Sequence, residues 1–413
     1  FGYSVFSLLL LKEFLIFSIY ALVYAATRQL TQNHLCALMA AALLQVNPSI
    51  AWESHRELTH TVLASALSTA AVCLFLRLDP RRWTGYALFG ICSGLGMLAK
   101  YNFGLVWVAL LLAACSVRQL RPVIFNRKFL FALFLGGLIC APHFLWVSQH
   151  RGLAMSSLHK LKLSSASDWT LFGRGLNNWF VDILAQLGPG AAVLFVLFGK
   201  TIFKPAVAAP REQLLWRTAG WLLIIVTVSI ILFRIGRVMD RYIQPLFVWI
   251  PIAVAAALRD HWSRPRVKAV LALSAVIAVG VLLVAPGRVL LTEGLHKHEV
   301  LNTPFEKLAA DLRPMVNQAD CLIAENHTLA GNFRLWFPAK LVVDAEVGPL
   351  FKPGARKTVL IWNASKEAAP PWDLVQFARG FTGGKNLTKP NRFEELLKYH
   401  HKRTICLGAS FIE

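Results

Sequence analysis

The stretch WESHRELTH, residues 52–60, places Glu53, His55, Arg56, Glu57 and His60 within nine positions of an otherwise mostly aliphatic chain. Carboxylates and imidazoles exchange protons with a reacting hydroxyl, and a guanidinium holds an anion, so the stretch carries the residue types of acid–base chemistry on an anionic substrate. Glu53 and Glu57 are spaced i,i+4 and Arg56 follows Glu53 by three, so a helix would bring all three to one face. A locally paired, solvent-facing helix start has the same pattern.

Two further stretches concentrate charge. Lys100 closes GICSGLGMLAK, where Gly90, Ser93, Gly94 and Gly96 permit close helix approach. RIGRVMDRYIQP brings together Arg234, Arg237, Asp240, Arg241 and Tyr242. Three arginines against one aspartate leave positive charge over, which favours an anionic ligand such as a phosphate. The plain alternatives are a snorkelling lysine at a helix end and an interfacial anchor in which Asp240 pairs with Arg237 or Arg241.

The elements that must position these groups belong to a membrane. Of 413 residues, 56% are hydrophobic and only 16% charged, well outside the balance of a soluble domain. Ten apolar runs, long enough to cross a ~30 Å hydrocarbon core or to lie short within a bundle, fall near 5–27, 35–51, 61–77, 84–99, 103–117, 129–147, 179–199, 218–233, 242–258 and 268–286. The fold class expected is a polytopic α-helical membrane protein with a small α/β domain. Residues 1–286 form the membrane domain and 287–413 the soluble one.

One set of alternate loops carries 16 Lys and Arg, the opposite set nine. Positive loops stay in the cytoplasm, so WESHRELTH, Lys100, Arg241 and the soluble tail are expected on the outer face. By the same alternation Phe1 begins outside, and a further helix with an outer loop is expected upstream of it.

The net charge of +21 divides unevenly, with 26 Lys and Arg against nine acids before residue 287 and 17 against 13 after it. Charge spread over inter-span loops serves topology and lipid headgroups rather than nucleic acid. The chain lacks a GxxxxGK[ST] loop, a GxSxG elbow and an HExxH helix, and Cys/His spacing indicates no metal and no cofactor.

The tail alternates helix-like TPFEKLAADLRPMV with strand-like DCLIAE, KLVVD and KTVLIWN, then helix-like RFEELLKYHHK and strand-like RTICLGASFI. A small α/β layer domain is expected. Cys321 and Cys406 both fall in these strands, as two buried thiols or as a disulfide.

NPSIAWESHRELTHTVLASALSTAAVCLFLRL, GLGMLAKYNFGLVW and DRYIQPLFVWIPIAVAAAL, in that order, resemble the glycosyltransferase family 39 group of the GT-C superfamily. That group includes dolichyl-phosphate-mannose protein mannosyltransferase-like proteins and the aminoarabinose and galacturonic acid transferases of bacterial lipopolysaccharide. The resemblance spans roughly residues 1–260, and DCLIAENHTLAGNFRLWFP is similar to the outer domains of bacterial members. It implies a transferase that passes a sugar from a polyprenyl-phosphate co-substrate to an envelope glycolipid, glycan or protein at the outer face of a bacterial inner membrane, with the tail in the periplasm. Matching motifs make Lys100 and Arg241, with Arg56 third, the candidates for the donor phosphate. His159, Lys160 and Lys162, in loop 148–178, become acceptor or lid contacts. The family's usual catalytic acid is expected upstream of Phe1. Glu53, Glu57 and His60 are the catalytic candidates within the chain, with His60 standing where relatives often carry aspartate.

A transporter or lipid flippase is the competing class, because the same charges would line a substrate path and the span containing Asn47 and Pro48 would be a broken helix. A non-catalytic binding protein is a third.

Overall fold

A computed structural model describes residues 4–56, 60–155, 161–162, 169–203, 208–294, 300–345, 348–351, 354, 357–365, 367–383 and 386–412. The chain divides into two compact units, Leu8–Val281 and Leu282–Glu413, the latter joined by Phe1–Ser7.

The first unit is helical. Its elements are α1 (Val5–Thr31), α2 (His34–Leu44), α3 (His60–Leu76), α4 (Trp83–Ala99), α5 (Phe103–Ser116), α6 (Arg127–Gln149), α7 (Trp169–Phe198), α8 (Pro210–Phe233), α9 (Asp240–Phe247), α10 (Ile250–Ala257) and α11 (Arg264–Leu290). Nine of the ten apolar runs of the sequence fall essentially on these helices, that at 242–258 divided between α9 and α10, while the run at 35–51 continues past α2 across a break. By length and composition five helices can cross a membrane, or seven if each of two bent pairs counts as one span; α3 and α4 are shorter apolar helices. The last helix runs through Pro286 to Leu290, so the change in composition falls inside a continuous helix.

Two features of this unit position the site. After α2 the chain bends by 69° at Asn47–Pro48 and continues as a π-turn, Ser49–Glu53, and a helical turn, Ser54–Arg56. Pro48 has no N–H for a continuing ladder, and the Asn47 side chain accepts the Ser49 N–H at 2.9 Å in its place. The second feature is close packing of α4 on α6. A Cβ at Gly90 would overlap the Ala132 backbone, and one at Gly94 would lie 2.8 Å from the Ile139 Cβ. The small-residue face thus allows the backbone approach that its sequence predicts.

The core holds Ile19, Met39, Leu44, Phe89, Phe103, Trp179, Phe247 and Trp249 fully buried. Glu212, 3% exposed, pairs with Arg259 and ties α8 to the segment after α10.

The second unit is an α/β layer. Helices α12 (Phe305–Asn317), α13 (His327–Trp336) and α14 (Trp372–Thr382) cover a sheet of β1 (Cys321–Ala324), β2 (Leu341–Val343), β3 (Thr358–Asn363), β4 (Asn391–Leu396) and β5 (Thr404–Ile412) in the order β2-β1-β3-β5-β4. β1 pairs in parallel with β2 and β3; β5 pairs antiparallel with β3 and β4. Side chains alternate across the sheet: Leu322, Val359 and Ile361 pack with Leu308, Leu312 and Phe333, while Ile323, Leu360 and Trp362 pack with Leu374, Ala378 and Phe381. Each fully buried Leu or Phe here contributes about 2–3 kcal/mol.

Two expectations change. RFEELLKYHHK, whose Glu, Leu and Lys favour helix, supplies strand β4 instead. Pairing with β5 and burial of Phe393 against the core override local propensity. A Cys321–Cys406 disulfide is excluded, because β3 separates their strands and Cys406 lies near the end of β5 away from Ile412, the residue level with Cys321. Both are free thiols.

Candidate functional site

The site is a cavity of about 640 Å³ in the helical unit, lined from four directions. The π-turn and its continuation supply Ser49, Glu53 and Ser54; α3 supplies Thr61; α7 supplies Asn178 and Asp182; the segment entering α9 supplies Arg237, Asp240, Arg241 and Gln244. Residues distant in sequence converge because α2 breaks where it does.

Lys100 stands at the C-terminal end of α4, half-buried, and its position is fixed by hydrogen bonds. Its ammonium donates to the Thr61 hydroxyl at 3.0 Å and to the Arg241 backbone carbonyl at 2.5 Å, and lies 5.0 Å from the centroid of the Tyr242 ring. Asn102, two residues on, donates to the Tyr242 carbonyl at 2.7 Å. Burial and, second, the Arg241 guanidinium lower Lys100 to about 8, with Asp240 opposing both.

Asp240 does not form either ion pair expected from the sequence; its carboxylate accepts the Arg241 backbone N–H at 2.6 Å, starting α9. Its own carbonyl accepts the Gln186 amide at 2.8 Å. Gln244, buried one turn along α9, donates to the Ser54 hydroxyl at 2.9 Å, and Ser54 donates to the Ser49 carbonyl at 2.8 Å. The WESHR turn and the DRYIQP helix are therefore held as one wall.

That turn is also fixed from α1. Lys12, 7% exposed, donates to the His55 carbonyl at 2.7 Å, and Glu13 lies 3.6 Å from Lys12 and 3.4 Å from His55. The ammonium satisfies a carbonyl left open where the turn ends.

Among the sequence candidates, Lys100, Arg241 and Glu53 come together. Glu53 lines the cavity and pairs with Arg56 at 3.1 Å, so Arg56 is engaged with a carboxylate on the rim. His60, at the start of α3, stands within electrostatic reach of Lys100 and Arg241. Glu57, His159 and Lys160 lie outside the described residues. Lys162 is described: its carbonyl accepts the Gly236 N–H at 3.1 Å, and the neighbouring Leu161 carbonyl accepts the Arg237 N–H at 3.0 Å. This short bridge runs beside the Arg237 wall. It depends on Gly175 of α7, where a Cβ would collide with the Ile235 carbonyl.

Asn178, Asp182, Ser54, Thr61 and Gln244 were not singled out from sequence. The first two were legible, since NNWFVDILAQL sets Asn178, Asp182 and Gln186 at i, i+4 and i+8 in an apolar helix, one polar stripe. Ser54 and Gln244 acquire meaning only from contacts 190 residues apart. Among the described residues no group of three or more His, Cys, Asp or Glu forms a metal cluster.

Residues 1–146 match the family model described as dolichyl-phosphate-mannose-protein mannosyltransferase. The chain is 28% identical over 397 residues to the lipopolysaccharide core galacturonosyltransferase RgtB of Rhizobium johnstonii, covering 92% of this chain and 79% of that protein. It is 26% identical over 392 residues to the core galacturonosyltransferase RgtA of the same organism, covering 89% and 75%. The crystal structure of ArnT from Cupriavidus metallidurans bound to undecaprenyl phosphate shares the fold, with a TM-score of 0.54 and 15% identity over 99% of this chain and 85% of that one. The ordered sequence motifs, the family model over residues 1–146, the two galacturonosyltransferases matched along nearly the whole chain and the fold shared with ArnT agree on a likeness to membrane glycosyltransferases.

Proposed function

We propose that the cavity transfers a sugar from a polyprenyl-phosphate donor to an envelope glycolipid at the outer face of a bacterial inner membrane, with residues 287–413 in the periplasm. The observation that carries this reading is the placement of Lys100 against Arg241 beside a cavity that also holds carboxylates. The two cations bind the donor phosphate, Lys100 as a point charge and Arg241 through its planar fork. An apolar cavity of about 300 Å³, lined by Met97 and Gly104 on either side of Lys100 and by Trp107, Ala132 and Phe144, suits the first isoprene units. The positive-loop count supports the outer face. The two galacturonosyltransferases favour galacturonic acid as the sugar and the lipopolysaccharide core as acceptor.

In the reaction the acceptor hydroxyl oxygen attacks the anomeric carbon. The bond from that carbon to the phosphate oxygen breaks, and polyprenyl phosphate leaves with the electron pair. The hydroxyl proton passes to a carboxylate, and Glu53 faces the cavity from the rim. Lys100 and Arg241 meet the charge that develops on the departing phosphate, which lowers the barrier more than it strengthens ground-state binding.

The test is transfer from radiolabelled undecaprenyl-phosphate galacturonic acid to lipopolysaccharide core in proteoliposomes, with Lys100→Ala as control. Labelled core glycolipid with wild-type protein, and a loss of about 100-fold or more in the variant, supports the reading. Solute uptake without labelled product would replace it with the transporter class.

A further inference from the structure

Asp182 is the one acid in the 30 residues of α7, a helix apolar enough to cross a membrane. A carboxylate in such a span is costly and is kept for a function. Its neighbours explain which one. Arg237 and Arg241 line the same cavity, yet among the described residues Asp182 forms no ion pair with either. Asn178 lies one turn earlier on the same face of α7 and lines the cavity too. The segment entering α9 thus lines the cavity with two arginines against one carboxylate, Asp240, and has Lys100 beside it, while α7 contributes a carboxylate with a carboxamide and no cation.

That difference sorts the groups of a lipid-phosphate sugar. A phosphate is repelled by Asp182 and drawn to the cationic wall, so the group that meets α7 must be neutral and must donate hydrogen bonds. A carboxylate only accepts, while a carboxamide both donates and accepts. Together they complement adjacent hydroxyls on a pyranose ring, each of which donates to the carboxylate and accepts from the amide.

We propose that Asn178 and Asp182 form the subsite that reads the hydroxyl groups of the transferred sugar and so set donor specificity. This rests on the polyprenyl-phosphate donor reading. It adds a role for two residues that hold no phosphate.

The experiment uses the full chain in proteoliposomes, with Asp182→Ala, Asp182→Asn, Asn178→Ala and Lys100→Ala. Two measurements are made: affinity for undecaprenyl phosphate, which lacks the sugar, and KM and kcat for undecaprenyl-phosphate galacturonic acid and its monodeoxy analogues. The expected result is undecaprenyl phosphate affinity within about twofold of wild type in the α7 variants, and a KM for the sugar donor raised about tenfold or more in Asp182→Ala. Asp182→Asn, which keeps a carbonyl acceptor, should recover part of that loss. One monodeoxy donor, poor for wild type, should be used by Asp182→Ala as well as the complete donor, because the partner of the missing hydroxyl is gone.

Equal loss of undecaprenyl phosphate affinity and donor KM in Asp182→Ala would overturn the subsite, as would unchanged discrimination between complete and deoxy donors. Wild-type affinity for undecaprenyl phosphate in Lys100→Ala would instead overturn the donor reading, which separates the two failures.

Discussion

The Lys100 ammonium donates a 2.5 Å hydrogen bond to the backbone carbonyl of Arg241, a residue 141 positions later in the chain. This contact fixes the ammonium against the backbone of a second cationic residue, whose guanidinium and the neighbouring Asp240 carboxylate both lie within its electrostatic reach. Burial first and the nearby Arg241 guanidinium second depress the Lys100 pKa, and a bound anion would offset both.

Donor affinity should therefore depend on pH in a definite sense. Free Lys100 titrates near 8, and a bound phosphate favours its ammonium form, so binding takes up a proton above pH 8. The dissociation constant for undecaprenyl phosphate should be flat below about pH 7.5 and rise by up to tenfold per unit above 8. Lys100→Arg keeps the charge at all these values and should flatten the curve. A wild-type profile flat to pH 9.5 would contradict the role given to Lys100.

Glu53 and Arg56 form a rim pair whose two members should behave differently. Replacing Arg56 with Met removes an exposed partner and should change stability by less than about 1 kcal/mol. Replacing Glu53 with Gln removes a carboxylate facing the cavity, and kcat should fall about 100-fold with normal protein levels. Equal activity in both variants would remove Glu53 from the reaction.

At Gly175 the backbone of α7 meets the Ile235 carbonyl. Gly175→Ala should force these segments apart and break the bridge between 161–162 and 236–237, with a loss of about 2 kcal/mol in stability and a larger fall in kcat/KM than in thermal midpoint. Gly173→Ala, on the same helix with open space around it, is the matched control and should change neither.

Glu212 and Arg259 test the helical frame away from the site. Glu212→Ala leaves a guanidinium without its buried partner and should destabilise the unit by about 3 kcal/mol, visible as a lower midpoint in detergent, without altering donor KM in the protein that remains folded.

Sequence alone determined the class of this protein and most of its helices, because crossing hydrocarbon demands long apolar runs and that demand is local and one-dimensional. It also offered Lys100, between two apolar runs, and Arg241, in the charged turn between two others, as candidates. Tertiary structure decided the rest. That Arg56 pairs with Glu53 while Arg241 faces Lys100, that Ser54 and Gln244 join two walls, and that Asp182 shares their cavity all depend on a 69° break after α2 and on contacts spanning up to 190 residues. RFEELL became a strand for the same reason: its register with β5 is worth more than the helix preference of its residues. Periodicity reports which face of an element is apolar, but which faces meet depends on packing between elements remote in the chain.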